Sequence, residues 1–493
     1  MEMVRNNIRS LLAKYILSAV AATLVSGIYE VIDGIFVGRQ LGAPGLAAVT
    51  LAYPPATVVM AVGSMLAAGC GCLAALRLGA GDRRGARLVC GAGMILWLLF
   101  SVALTLAGTL GATPIARLMG ADGALLNPAR DFIFWYCAGS LVVVGALFFD
   151  SMIRNSGHPL FSMGCMIGGA LLNIVFDAIA VLGLNWELAG VALATVVSQL
   201  LVVAAQLVFM VRKRILLRPD FTGLGWNLPA RIVWLGLAAF SGTAAIGVMM
   251  LLNNWVLARH GGEFQISVFG IMNYVLSLVL LIFIGIALGI QPLISCNYGA
   301  GRMDRVYEIL RRTLQLALGV GTGLMVVVLA FREPLIRIFN QNDPVLLAAT
   351  SRAFCWYFPS VCIVGLVFVV AGYFQAIGRT VPANLLLIGK HCLFVIPGLY
   401  FLPGLMGVNG IWLATPSGDM LALAVAAGIL SWDITIRRRA TAAATAVAQD
   451  LAYGWECLWN ALLPVRVQGR DFRMVIRLSP WLSPDPAPGP ANC

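Results

Sequence analysis

Asp33 lies near the end of the apolar segment Tyr29-Glu-Val-Ile-Asp33-Gly-Ile-Phe-Val-Gly38, and Asp177 follows Asn173 by four residues in another such segment. A carboxylate inside a bilayer costs about 2.5 to 3.5 kcal/mol even on insertion scales, so one that is kept there has a task. Tyr29 precedes Asp33 by four residues, as Asn173 precedes Asp177, so each acid shares a helix face with a second polar side chain. Counted inward from the outer ends of their segments, Asp33, Asp177 and Thr195 fall in one layer roughly 8 to 12 Å below the surface, with Tyr136 in the same layer. Oxygen donors in that arrangement suit two chemistries. Asp33, Asn173, Asp177 and Thr195, with Tyr29 and Tyr136 nearby, can surround a sodium ion, and two desolvated neighbouring carboxyls can carry a proton between them. Residue types alone serve either ion.

Apolar helices must position these groups. Of the 493 residues 60% are hydrophobic and 11% charged, against about 25% charged in a soluble domain, and the mean hydropathy is +0.91. The hydrophobic pattern predicts twelve spans, near 13–36, 47–74, 87–110, 131–153, 160–184, 188–211, 232–257, 266–291, 308–330, 352–374, 381–403 and 408–435. A formal net charge of +12 does not indicate nucleic acid, because the basic residues follow membrane topology. Counting loops alternately gives roughly 21 Lys and Arg on the side of the N-terminus against about 7 on the other, which predicts both termini cytoplasmic. The clusters Arg77/Arg83/Arg84/Arg87, Arg212/Lys213/Arg214/Arg218 and Arg302/Arg305/Arg311/Arg312 are read as orientation signals that touch anionic lipid. The first span belongs to an internal repeat, so Leu11 to Gly27 is not expected to be a cleaved signal peptide.

That repeat organises the chain. Leu78-Gly79-Ala80-Gly81 returns as Tyr298-Gly299-Ala300-Gly301, and Gly190-Val-Ala-Leu-Ala-Thr195 returns as Gly410-Ile-Trp-Leu-Ala-Thr415, both at an offset of 220. Arg154-Asn-Ser-Gly157 matches Gln375-Ala-Ile-Gly378 at 221, one residue of insertion away. An even number of spans per unit gives both units one orientation, related by an axis along the membrane normal. The expected domains are a six-helix bundle over 1–211, a cytoplasmic linker over 212–231 containing Pro219, Gly223, Gly225 and Pro229, a second bundle over 232–436, and a partly disordered cytoplasmic tail over 437–493. Trp455 and Trp459 suggest an interfacial helix in the tail, and its proline-rich end is expected to be disordered.

The second unit lacks the acidic layer. Asn253 stands at the position of Asp33, and the apolar run Phe394 to Pro397 at that of Asp177. It carries instead Lys390 in span eleven and Asp419 in span twelve, each about midway across the bilayer, which reads as an ion pair between adjacent helices or as a substrate or gating site. Asp150 and Arg154, four apart at the inner end of span four, read as a local pair or cytoplasmic gate. Eleven cysteines lie mostly within spans, Cys70-Gly-Cys72 lacks the zinc-knuckle gap, and three scattered histidines offer no metal spacing. No enzyme, metal centre or cofactor is expected beyond the coupling ion, proton or sodium.

In order and spacing, Asp33-x-x-Phe36-Val37-Gly38, Gly79-Ala80-Gly81, Arg154-x-x-Gly157-x-Pro159, Asn173-x-x-x-Asp177 and Gly190-x-Ala192-x-Ala194-Thr195 resemble the multidrug and toxic compound extrusion (MATE) transporters, over residues 10–437. The resemblance implies an all-α polytopic membrane protein with twelve transmembrane helices in two pseudo-symmetric six-helix bundles. It implies a cation-coupled antiporter that exports lipophilic, mostly cationic compounds from the cytoplasm by alternating access, with the cation site at Asp33, Asn173, Asp177 and Thr195. The carboxyl-lobe acids of one branch of that family have no clear counterpart here. Two other transporter classes remain alternatives: a lipid-linked saccharide flippase, whose anionic substrate would call for intramembrane cations, and a major facilitator, suggested by the basic loop Gly79 to Arg87. The expected partners are small lipophilic or cationic substrates and membrane lipids, with no nucleic acid. The expected state is a monomer in the plasma membrane, the inner membrane of a bacterium.

Overall fold

The computed structural model describes the backbone of residues 2–462, apart from 185, 214–218, 223–224, 226 and 340–342, and side chains over most of that range as far as Arg437. Among the described residues there is no strand, and the predicted spans all have their helices. In chain order these are α1 (Ile8–Gly34), α2 (Ala47–Gly79), α3 (Arg83–Leu110), α4 (Gly123–Ala138 and Ser140–Asn155, bent by 50°), α5 (Pro159–Val181), α6 (Glu187–Arg212), α7 (Asn227–Ala245), α8 (Ser267–Gly299), α9 (Met303–Ala330), α10 (Pro344–Ala376), α11 (Thr380–Met406) and α12 (Val408–Arg437). A helix satisfies every backbone donor and acceptor within its own segment, which is the condition for lying in hydrocarbon.

The sequence pattern implies loops at the joins between spans one and two and between seven and eight. The backbone is instead helical without interruption over Ile8–Gly79 and Asn227–Gly299. Continuing the i→i−4 pattern pairs the backbone groups across the joins, apart from the carbonyl four residues before Pro44, since proline has no N–H to donate, whereas a loop there would have to satisfy them with water or side chains. At the other end of the chain, helical backbone continues beyond Arg437 to Leu462. The side chains of Trp455 and Trp459, the proline-rich end and the basic residues Arg214 and Arg218 lie outside the described residues.

The chain forms two compact units, Met1–Ala424 and Val425–Cys493. Within the first, the run Ile8–Gly79 packs on α3, α4, α5 and α6, the run Asn227–Gly299 packs on α9, α10 and α11, and the two runs pack on each other. The contact between them is reciprocal at the repeat spacing. A Cβ on Gly79 would strike the carbonyl of Cys296, and a Cβ on Gly299 would strike that of Leu76. Likewise Gly69 lies against the backbone of Ile232 and Gly236, and Gly289 against that of Tyr15 and Ile16. Each contact thus recurs with its partners exchanged between the two copies of the repeat, which is how a two-fold axis pairs surfaces. Lipid offers no hydrophobic drive for joining helices, so close backbone approach at small residues supplies the packing. Thr23 adds a hydrogen bond from its Oγ1 to the carbonyl of Leu281, 2.9 Å long.

The loops after α2 and α8 are copies in geometry as well as in sequence. Ala80 and Ala300 each donate to a carbonyl four residues back at 3.0 Å, and Asp82 and Arg302 each donate five residues back at 2.9 Å. Gly81 and Gly301 have φ of 78° and 73°, a left-handed conformation that only glycine adopts without cost. The linker is tied to the first copy: the Asp220 N–H donates to the Arg87 carbonyl at 3.1 Å. The Thr222 hydroxyl and N–H donate to Asp220 at 2.6 and 3.0 Å, and these bonds hold the Asp220 carboxyl below the usual carboxylate range.

Candidate functional site

Asp33 enters the site from the last turns of α1, and Asp177 from the point within α5 where the regular α-helix Pro159–Asp177 widens into a π turn at Ala178–Gly183. A single-turn widening of this kind re-aims side chains within a span and is frequent at functional sites. It also places the Asp177 carboxylate at the C-terminal end of the α-helical stretch, the end of the helix dipole that disfavours negative charge. The two carboxyls, far apart in the chain, face each other within hydrogen-bonding reach. Asp177 is fully buried and Asn173, one turn earlier on α5, is nearly so.

Thr195 of α6 completes the set. The Asn173 Nδ2 donates to Thr195 Oγ1 at 3.3 Å, and Thr195 donates to the Val191 carbonyl at 3.2 Å. These bonds use the amide nitrogen and the hydroxyl hydrogen and leave the Asn173 carbonyl oxygen uncommitted. Among the described residues, Asp33 Oδ1, both carboxylate oxygens of Asp177 and Asn173 Oδ1 are buried with no hydrogen-bond donor. Four orphaned oxygens in so small a volume are costly unless a positive charge or a shared proton joins them. Carboxylate, amide and hydroxyl oxygens with no sulfur or imidazole are the donor set of a hard cation, and the residues present therefore fit the coupling ions expected from the sequence. Of the other two residues expected there, Tyr29 lies one turn before Asp33 on α1, and Tyr136 is buried on α4 stacked on Phe132 at 5.7 Å. The side chain of Glu30 lies outside the described residues. Ser26, also on α1, has a buried and unpartnered hydroxyl that the spacing argument passes over.

The two expected ion pairs are formed. Arg154 Nη1 stands 3.3 Å from Asp150 Oδ2 across one turn of α4, with both side chains about nine-tenths buried. The Ser162 hydroxyl donates to Asp150 Oδ1 from the start of α5, a contact between two helices that no local pattern announces. At the matching place in the second half, Gln375 stands where Arg154 would be, and its Oε1 accepts from Gln291 Nε2 at 2.7 Å. Lys390 Nζ lies 3.5 Å from Asp419 Oδ1, with side chains 4% and 2% exposed. The Phe368 ring lies below the ammonium, 4.7 Å from nitrogen to centroid, a contact that residue spacing does not announce either. Among the described residues no group of three His, Cys, Asp or Glu side chains is placed to hold a metal.

Comparison with known proteins places this architecture. The family model MatE matches residues 18–179 and again 239–401, so the start of the second match follows the first by close to the spacing of the internal repeat. The multidrug export protein MepA of Staphylococcus saprophyticus is 26% identical over 407 residues, spanning 82% of this chain and 89% of its own. MepA of Staphylococcus aureus strain MSSA476 is 25% identical over 410 residues, spanning 82% of this chain and 89% of its own. Among solved structures, a MATE transporter in complex with MaL6 superposes with a TM-score of 0.84 at 22% identity, covering 89% of this chain and 99% of its own. An outward-facing MATE transporter of the MOP superfamily superposes with 0.82 at 21% identity, covering 86% of this chain and 95% of its own. Eleven apolar helices and one bent pair among the described residues, a duplicated scaffold and a family model that matches both copies lead to one conclusion: this chain is a multi-pass membrane protein that belongs to the MatE family of multidrug and toxic compound extrusion transporters.

Proposed function

We propose that this protein exports lipophilic, mostly cationic compounds from the cytoplasm in exchange for an inward-moving proton or sodium ion, which binds between Asp33 and Asp177. The observation that carries the reading is the facing pair of buried carboxyls with orphaned oxygens, completed by Asn173 and Thr195. An ion taken up there from outside relieves the repulsion of two buried acids. It shifts the equilibrium between two arrangements of the bundles by its difference in affinity for them, and by no more than that difference. Tyr29 and Tyr136 complete the surroundings of the ion. The Asp150–Arg154 pair at the inner end of α4 serves as a cytoplasmic gate, opened when the Gly79/Gly299 crossing parts. The membrane is the bacterial inner membrane with both termini cytoplasmic, and the protein works as a monomer.

The relatives named multidrug export protein MepA support the export of drugs. A flippase for anionic lipid-linked sugars is the weaker reading, since Lys390 and Arg154 each face a carboxylate, Asp419 and Asp150, whose negative charge an anionic substrate would have to meet. The test is uptake of a fluorescent lipophilic cation into inside-out proteoliposomes under an imposed pH or sodium gradient. Wild-type uptake under one of the two gradients, lost in both Asp33→Asn and Asp177→Asn, is the expected result and names the ion. Uptake that survives neutralisation of both acids sinks the proposal.

A further inference from the structure

Two departures from α-helical backbone in the second half converge on one ion pair. α10 is interrupted by a 3₁₀ turn at Phe358–Ser360, and α11 by a π turn at Gly389–Leu393. Irregular backbone at membrane depth persists only where it is buried in protein or lines a cavity. Lys390 sits on the π turn, Asp419 comes from α12, and Phe368 comes from α10 beyond the 3₁₀ turn. Ser360, the last residue of that turn, lies beside the Asp419 carboxylate, and Tyr357 also faces it with its hydroxyl next to Thr415. Nothing in the coupling site described above uses these residues.

A carboxylate beside an aromatic face is the chemistry that recognises organic cations. Here the position is filled by the chain's own ammonium, and filled loosely. The Lys390–Asp419 separation of 3.5 Å exceeds the roughly 2.7 to 2.9 Å of a good charge-assisted hydrogen bond, and the carboxylate oxygen facing it has no hydrogen-bond donor. A lysine stem is flexible and its ammonium can withdraw along it. The substitution of one cation for another beside Asp419 leaves the local charge balance unchanged. Among the described residues the Asp33/Asp177 pair has no such internal cation, which separates a site suited to a coupling ion from one suited to a larger cation.

We propose that Phe368 and Asp419 form a subsite for lipophilic organic cations, and that Lys390 is a tethered cation holding that place until a substrate displaces it. The substrate class rests on the exporter reading above; the assignment of the site rests on the geometry.

The experiment is equilibrium binding of tetraphenylphosphonium to the purified full chain in detergent, with no ion gradient, so that coupling does not enter. Lys390→Met removes the internal competitor, and about tenfold tighter binding is expected, equivalent to about 1.4 kcal/mol. Asp419→Asn is expected to weaken binding about tenfold, and Phe368→Leu about threefold or more. Lys390→Arg keeps the ion pair and stacks better on the ring, so it weakens binding and serves if Lys390→Met does not accumulate as folded protein. Thermal unfolding adds a second readout: tetraphenylphosphonium raises the melting temperature of Lys390→Met more than that of the wild type. A pair that only ties helices together predicts that Lys390→Met binds no better than wild type and that Asp419→Asn binds as wild type, and either result overturns the subsite. If the wild type itself binds no tetraphenylphosphonium, the exporter reading for this substrate class fails and the subsite fails with it.

Discussion

The two halves of this transporter share a backbone and differ in how they treat buried charge. The loops after α2 and α8 repeat the same hydrogen bonds at the same lengths, 3.0 and 2.9 Å, with glycines of φ 78° and 73° at the same step. The crossings of the two long helical runs repeat as well, at Gly79 with Cys296 and at Gly299 with Leu76. Yet the first half brings two acids together with no cation beside them among the described residues, whereas the second half sets one acid against a lysine over an aromatic ring. Near the C-terminal ends of α4 and α10 the contrast is again one of charge, an Asp150–Arg154 ion pair against a Gln291–Gln375 amide pair. Duplication thus preserved what packing and turns require, and divergence fell on polar side chains. A buried negative cluster left open demands a partner from outside, while one neutralised from within does not.

The sharpest way to break this comparison is to move the coupling. Asp33→Asn and Asp177→Asn should each reduce gradient-driven uptake to the level of empty liposomes, while the double variant Lys390→Met/Asp419→Asn should retain a response to the gradient. Coupling lost in the second-half double variant but kept in the first-half variants would reverse the assignment of roles. The next largest effect concerns stability. Lys390→Met alone leaves a buried carboxylate unpaired and should cost about 3 to 5 kcal/mol, and the double variant with Asp419→Asn should recover most of it. Thermal unfolding in one detergent compares the two, and equal losses in both would mean that the pair is not what the lysine serves.

The pseudo-symmetry itself is tested by smaller changes. Gly79→Val and Gly299→Val push side chains into opposing carbonyls and should each cost about 1 to 3 kcal/mol. Because the contacts are reciprocal, the two losses should agree to about 0.5 kcal/mol, the usual scatter between independent substitutions. A cost confined to one of them would show that the crossing is not shared equally. Gly81→Ala and Gly301→Ala should each cost about 1 kcal/mol through their left-handed φ, again in equal measure.

Much of this was legible in the residues. Apolar runs of span length located twelve helices because helical hydrogen bonding is local and hydrocarbon enforces it. The repeated Gly-Ala-Gly loops showed the duplication because a left-handed turn needs glycine at one step of a short motif. Counting residues along the predicted spans set Asp33, Asp177 and Thr195 at one level because the rise per residue of a helix is fixed, and it did not say which of them meet. The joins within the long runs were not legible, since glycine and proline near residues 38–45 signal a break that the helical backbone does not take.

The sequence by itself therefore determined the membrane class, the apolar spans and the duplicated scaffold. Only the tertiary structure decided which groups meet. It joined Asp33 to Asp177, set Ser162 on Asp150, laid Lys390 over Phe368, and seated Gly79 on the carbonyl of Cys296. The physical reason is that depth along a helix follows from counting residues, whereas the face it turns to each neighbour is set by rotation about its axis. That rotation is fixed by all the contacts at once, including the π turns that re-aim Asp177 and Lys390, and no local stretch of sequence contains it.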